Sequence, residues 1–140
     1  APALSTRWWA GIGHGSHKSF NNTEQKIRVS NINSLSEAQV LYTGINECSE
    51  KWNGFKKLLN SVWRERGVGD FWGHCLVAEG ASEIMLDPIV NIWDVATLYL
   101  IVHEAGGVMT DASGNHEYTS GHAISSNNQM HKKLLESINS

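Results

Sequence analysis

The sequence predicts an α/β protein. Over residues 38–140, short apolar segments typical of strands alternate with segments whose apolar residues recur at helical spacing. Residues 1–36 differ, because they contain closely spaced glycines and turn-forming residues. With 140 residues, of which 41% are hydrophobic, the chain can bury a core. We therefore expect an antiparallel β segment over residues 1–36 and an α/β domain over residues 37–140.

Residues 1–30 predict a β-hairpin or meander, with turns at the glycines 11, 13 and 15 and in "FNNTEQ". After a connector, "AQVLYTG" (38–44) predicts a strand. The segment "CSEKWNGFKKLLNSVW" (48–63) predicts one amphipathic helix with Ser49 as its N-cap. The basic segment "WRERG" (63–67) is interpreted as its solvent-exposed end.

A second helix is predicted from about Asp70, and "SEIMLDPIV" (82–90) predicts a strand that ends near Pro88. The next helix runs from about Trp93 to Ala105. Its apolar residues cover most of its circumference, so we expect it, including Trp93, to be buried on more than one side. "GVMTDASG" (107–114) and "HAISS" (122–126) predict short strands, and "NNQMHKKLLES" (127–137) predicts a closing helix.

Composition limits the classes of function and the compartment. The formal net charge of −3 argues against nucleic acid as a partner, since such proteins favour a basic face. No apolar run is long enough to span a membrane. Cys48 and Cys75 lack the spacing of zinc ribbons or Cys-x-x-Cys motifs, so we interpret them as free thiols in a reducing cytoplasm.

Asp94 stands at the start of the apolar helix in "VNIWDVATLYLIVHEAGG" (90–107), and two interpretations are open. It can stabilise the free N–H groups of the helix N-terminus, an effect of about 0.5–2 kcal/mol. Alternatively, it is a rigidly held carboxylate aimed at a cleft, where it would suit a hard cation such as Mg²⁺ next to a substrate phosphate.

A longer stretch favours the second interpretation. "GDFWGHCLVAEGA", "DPIVNIWDVATLYLIVHEAGGVMTDASG", "APALSTRWWA" and "KIRVSNINSLSEAQVLYTG" together resemble the C-terminal half of the inositol monophosphatase family. The Trp-Asp-x-Ala … Glu-Ala-Gly-Gly signature is specific, and the resemblance covers nearly all of the chain. Within the family, Gly-Asp-Phe-Trp is most similar to the histidinol-phosphate phosphatases.

The resemblance implies the C-terminal portion of a layered αβαβα fold, with a mixed sheet flanked by helices, and Mg²⁺-dependent hydrolysis of a small phosphomonoester. It implies Asp94 as a metal ligand. It implies Asp87, which stands where the family usually has Glu, as a substrate-contacting acid. It also implies substrate contacts at Gly69, Asp70 and Phe71, although the spacing to Cys75 is one residue shorter than in inositol-specific members.

The family's other metal ligands come from an upstream Glu and an Asp-Pro-(Ile/Leu)-Asp-Gly-Thr motif, and neither is present. "LDPIVN" (86–91) imitates that motif, but Val90 replaces the second Asp and no Gly-Thr follows. Since one carboxylate cannot hold Mg²⁺ tightly, we expect this chain alone to be inactive. A missing N-terminal half or a second chain would complete the site, and the family implies a homodimer.

The remaining motifs are weaker. His14-x-x-His17 could be half a zinc site, but no second pair is spaced for it, so a loop is the favoured interpretation. His74 and Cys75 are interpreted as packing residues, and His103 as a residue that suits the negative end of its helix.

We therefore expect the C-terminal half of a phosphatase that acts on histidinol phosphate. Inositol monophosphate is the alternative substrate, and a non-catalytic interaction fragment is the alternative class. Histidinol carries an ammonium that favours nearby acids, and Asp70 and Asp87 supply two.

Overall fold

The fold begins with a three-stranded antiparallel meander. The computed structural model describes residues 1–117 and 119–140. The meander consists of β1 (Thr6–Gly11), β2 (Gly15–Phe20) and β3 (Thr23–Ile27), in that order. Asn21 and Asn22 form the second turn with positive φ angles of 47° and 64°, a conformation that asparagine tolerates better than most residues. The predicted hairpin or meander is confirmed.

A five-stranded mixed sheet follows. Its strands lie in the order β5-β4-β6-β8-β7, with β5, β4 and β6 parallel and β8 antiparallel to both neighbours. The strands are β4 (Gln39–Tyr42), β5 (Arg64–Gly67), β6 (Ile84–Asp87), β7 (Gly107–Thr110) and β8 (Ala123–Asn127). The predicted α/β class with a mixed sheet is therefore confirmed. The expected division at residue 36 stays a prediction.

Within the described residues, five α-helices accompany these strands: α1 (Ile45–Lys51), α2 (Phe55–Ser61), α3 (Phe71–Ala78), α4 (Ile92–Glu104) and α5 (His131–Ile138). The single helix predicted over 48–63 is wrong, because the chain forms α1 and α2 with a break at Trp52–Gly54. A side chain on Gly54 would overlap the carbonyl oxygen of Ser137 at the end of α5, so close packing fixes the break. Ser49 lies inside α1, whose N-cap is Gly44.

The interpretation of "WRERG" as a helix end is also wrong. Residues 64–67 form β5, an edge strand that pairs with β4 on one side. Its alternating charged residues suit a strand exposed along one edge. Glu65 also accepts a hydrogen bond from the hydroxyl of Tyr42 on the neighbouring strand, at 2.9 Å.

The core lies on both faces of the five-stranded sheet. On β6, Ile84 and Leu86 pack against α1, α2 and α5, whereas Met85 between them packs against Val77 of α3. Beyond α3 and α4 lies the meander, whose Trp8 packs against the cluster that these two helices form. The layers therefore run helix, sheet, helix, sheet, which fits the C-terminal portion of the αβαβα fold.

Helix α4 is less buried than its sequence predicts. Val95, Leu98, Ile101 and Val102 are buried, and they form one face toward α3 and the meander. The first turn is exposed, and Trp93 is 76% accessible to solvent, so its predicted burial is wrong. At the other end, the Glu104 carboxylate accepts hydrogen bonds from the backbone N–H groups of Gly13 and Gly15, which attach the meander to α4 and lower the pKa of Glu104.

Among the described residues, no helix combines the length and the apolar character needed to cross a membrane. Cys48 and Cys75 are buried and not disulfide-bonded, as the sequence predicts. Burial raises the pKa of each thiol to about 12, so both remain protonated at neutral pH.

Candidate active site

The carboxyl ends of three parallel strands bring the predicted site residues to one edge of the sheet. Thr43 directly follows β4, and Asp87 is the last residue of β6. Gly69 and Asp70 come two and three residues after the end of β5. α3 begins immediately after Asp70, and α4 begins at Ile92, five residues after the last residue of β6. This edge is where open α/β sheets commonly bind their ligands.

Asp94 lies at the third position of α4 and completes a capping box. Its Oδ2 accepts a hydrogen bond from the backbone N–H of Asn91 at 2.8 Å and a second from the Asn91 side-chain amide at 3.3 Å. The capping interpretation is therefore correct. The cap, however, uses only one of the two carboxylate oxygens. Oδ1 makes no hydrogen bond with the described residues, and the side chain is exposed.

This arrangement suits a metal only in part. An exposed carboxylate with one unengaged oxygen, fixed on a helix start, is a suitable single ligand for a hard cation. Within residues 1–117 and 119–140, however, no three His, Cys, Asp or Glu side chains group closely enough to hold a metal ion. The metal role of Asp94 thus stays a prediction, and further ligands would have to come from outside this set of residues.

A cavity of about 250 Å³ joins Asp94 to Phe71, at the starts of α4 and α3. Phe71 also contacts Trp8 of the meander edge to face, with ring centroids 6.2 Å apart. Cys75 lines the same cavity, but its raised pKa keeps it a neutral thiol rather than a nucleophile or metal ligand. Arg7 adds a cation at the cavity wall, which makes it a candidate for contact with an anionic group.

Asp87 does not line this cavity and faces two polar partners. Its Oδ1 accepts a hydrogen bond from the Thr43 hydroxyl at 3.2 Å, and its Oδ2 lies 3.9 Å from Nε2 of His74. Only 6% of Asp87 is accessible to solvent. Sequence reasoning missed Thr43 and His74 as its neighbours. Thr43 could have been found, because it follows β4 as Asp87 ends the adjacent parallel strand.

Gly69 borders the same group, and Asp70 follows it at the start of α3. A Cβ placed on Gly69 would lie 3.9 Å from the Thr43 methyl group, which puts Gly69 against the residue that holds Asp87. Asp70 is the N-cap residue of α3, but its side chain makes no capping hydrogen bond and is exposed. Its carboxylate is therefore free to meet a ligand. The substrate roles of Gly69, Asp70, Phe71 and Asp87 stay predictions.

The weaker candidates have local functions in packing. His17 stacks on Trp9 with centroids 5.6 Å apart, and His14 lies in the turn between β1 and β2. His103 stacks on Tyr99 near the end of α4. His74 and Cys75 are both buried, in agreement with the packing interpretation, although His74 has polar partners as well.

Comparisons with known proteins agree with this architecture. A histidinol-phosphatase of Streptomyces coelicolor is 38% identical over 142 residues, which cover 99% of this chain and 53% of the relative. A histidinol-phosphatase of Mycobacterium tuberculosis is 36% identical, over 99% of this chain and 55% of the relative. The solved structure of Mycobacterium tuberculosis SuhB matches with a TM-score of 0.80 at 21% identity, covering 96% of this chain and 54% of that one.

The chain thus spans about half the length of the curated relatives it matches. The sequence profile of the inositol monophosphatase family matches residues 1–140. The chain belongs to the inositol monophosphatase family, whose members are generally metal-dependent phosphatases.

Proposed function

We propose that this chain is the C-terminal half of a Mg²⁺-dependent phosphatase that hydrolyses histidinol phosphate to histidinol and phosphate. The family and the two histidinol-phosphatase relatives support the reaction. The observation that supports histidinol phosphate as the substrate is the pair of carboxylates at one sheet edge, Asp87 and Asp70. A carboxylate held in a largely buried position attracts an ammonium more strongly than one in bulk water, and histidinol carries an ammonium.

Asp94 is the residue of this chain that would hold Mg²⁺, together with ligands from the N-terminal half. When bound, such an ion neutralises phosphate charge and lowers the pKa of a coordinated water. The N-terminus of α4 points free N–H groups and a positive dipole end toward the same region, which favours a phosphate there. The capping box fixes the Asp94 carboxylate, so no ordering is needed when the ion binds.

The substrate would lie with its phosphate near Asp94 and its amino alcohol toward α3. Phe71 and the neighbouring cavity offer an apolar surface for a flat imidazole, since aromatic rings pack favourably edge to face or offset. Asp87 and Asp70 would bind the ammonium. We further propose that the complete protein is a cytoplasmic homodimer and that the isolated 140-residue chain is inactive.

The test is a comparison of substrates with the complete enzyme. We would measure kcat/KM for histidinol phosphate and for inositol 1-phosphate at saturating Mg²⁺, with phosphate release as the readout. The proposal predicts a clear preference for histidinol phosphate and no turnover after chelation of the metal. Equal or greater turnover of inositol 1-phosphate would overturn the assignment in favour of the alternative substrate.

A further inference from the structure

His74 connects Asp87 to the adjacent strand from inside the core. Its Nδ1 lies 2.8 Å from the hydroxyl of Ser125 on β8, and its Nε2 lies 3.9 Å from Oδ2 of Asp87. The His74 side chain is fully buried, and that of Asp87 is 8% accessible. Among the described residues, Nε2 of His74 is one of two buried side-chain polar atoms without a hydrogen-bond partner. The sequence-based packing interpretation does not account for this atom.

The neighbours of the ring determine where its proton lies. A carboxylate accepts hydrogen bonds and repels a lone pair, so Nε2 facing Asp87 carries the hydrogen. Nδ1 is then an acceptor, and the Ser125 hydroxyl donates to it. The opposite tautomer would direct a nitrogen lone pair at the carboxylate across 3.9 Å of low-dielectric interior. The Ser125 hydroxyl therefore donates to His74, whose Nε2–H faces the Asp87 carboxylate at 3.9 Å, beyond hydrogen-bond distance.

The close approach of α3 to β6 makes this contact possible. A side chain on Gly73 would overlap the sulfur of Met85, so glycine is required for the helix to lie this near the strand. The next residue, His74, then reaches Asp87 at the end of β6. An apolar side chain at position 74 could fill the same space without burying an unpaired polar atom, which is unfavourable because the atom loses its hydrogen bonds to water. If packing were its only role, the imidazole would therefore be less favourable at this position than an apolar side chain.

We propose that His74, held by Ser125, is a positioning residue that orients the Asp87 carboxylate toward the ammonium of the substrate. This inference rests on the proposed function. The Thr43 hydroxyl donates to Oδ1 at 3.2 Å, and the N–H of His74 attracts Oδ2 electrostatically, with 3.9 Å between Nε2 and Oδ2. These two contacts would restrain the carboxylate while Oδ2 keeps its capacity to accept a hydrogen bond from an ammonium.

Two substitutions separate positioning from packing. In a glutamine side chain the amide group reaches the place of Nε2, whereas in asparagine it reaches the place of Nδ1. His74→Gln therefore keeps a donor for Asp87, and His74→Asn keeps only the contact with Ser125. The readout is a discrimination ratio, defined as kcat/KM for histidinol phosphate divided by kcat/KM for 3-(imidazol-4-yl)propyl phosphate, which lacks only the amine.

In the complete enzyme, we expect His74→Asn to lower the discrimination ratio about tenfold, mainly through KM, because a misplaced carboxylate loses part of a charge-assisted hydrogen bond. His74→Gln should keep the ratio within about threefold of wild type, on the same scale. Equal ratios in the two variants, or equal losses of kcat on both esters, would show that His74 acts only through packing and overturn the inference.

Two measurements keep the inference testable where both variants misfold. Ser125→Ala leaves the imidazole in place but removes the donor to Nδ1, and it should also lower the ratio. Nitrogen-15 NMR of the wild-type protein should show His74 protonated at Nε2, and protonation at Nδ1 would overturn the inference. A wild-type ratio near one would refute ammonium recognition and with it this inference, and a high wild-type ratio that survives His74→Asn would refute positioning alone. Failure of the proposed function would show separately, as equal or greater turnover of inositol 1-phosphate.

Discussion

Replacing Asp94 with asparagine separates the two roles of this carboxylate. Its Oδ2 accepts two hydrogen bonds from Asn91, at 2.8 Å and 3.3 Å. An asparagine oxygen can accept the same bonds, so the helix cap should survive. What is lost is the negative charge at the helix N-terminus, worth about 0.3–1 kcal/mol. For a protein of the relatives' length, this corresponds to a fall in Tm of about 1–4 °C.

The effect on activity should be far larger. An uncharged amide binds Mg²⁺ poorly, and even residues that only support metal ligands contribute about 10- to 100-fold to affinity or activity. We expect Asp94→Asn to lower kcat/KM for histidinol phosphate by more than about 100-fold and to require more Mg²⁺ for the residual rate. Circular dichroism would follow unfolding, and a Mg²⁺ titration of phosphate release would follow the site.

Asp94→Ala is the matched control, because it also removes the hydrogen-bond acceptor. It should lose about 1 kcal/mol more stability than Asp94→Asn while losing activity to a similar extent. The reasoning is refuted if Asp94→Asn turns over substrate at a near-wild-type rate in moderate Mg²⁺, or if asparagine destabilises the fold as much as alanine.

Three further perturbations test the site and the core. Asp87→Asn should lower kcat/KM for histidinol phosphate about 10- to 150-fold, with a smaller effect on the amine-free ester, so an unchanged discrimination ratio would remove Asp87 from the site. Burial lowers the pKa of His131 to about 4. Between pH 6.5 and 4 the unfolded chain therefore binds a proton at His131 that the folded chain does not bind. Up to about 3 kcal/mol of the stability present above pH 6.5 is lost as the pH falls to 4. Chemical unfolding between pH 7.5 and 4 would measure this loss, which His131→Gln should largely abolish. Gly54→Ala should destabilise by about 1–3 kcal/mol through overlap with α5, whereas Gly67→Ala, whose Cβ would meet the Tyr42 ring at an ordinary contact distance of 3.7 Å, should change the Tm little.

The elements with strong periodicity could be predicted from the sequence, and those determined by tertiary packing could not. β6 and α4 were located within a residue or two because apolar runs and glycines mark their ends. β5 was missed because its sequence "RERG" has no apolar residue and because it is an edge strand, paired with β4 alone among the described residues. The break at Gly54 depends on a contact with α5, more than 80 residues away in the sequence, which no local pattern encodes.

The same limit applies to the candidate site. Asp94 and Asp87 were identified through family resemblance, and the capping pattern around Asp94 was visible in the residues themselves. The exposure of Trp93 could not be predicted, since an apolar residue on a mostly apolar helix predicts burial. Of the neighbours of Asp87, Thr43 could be inferred from the adjacent parallel strand, but His74 could not, because α3 and β6 meet only in the folded chain.

The discrimination ratio of the wild-type complete enzyme tests the central claim most directly. Histidinol phosphate and its amine-free analogue share the phosphate and the imidazole, so their difference isolates recognition of the ammonium. If carboxylates at the sheet edge bind that ammonium, the ratio should be at least about tenfold, since a charge-assisted hydrogen bond contributes about 1.5–3 kcal/mol. Equal kcat/KM values for the two esters would contradict the account.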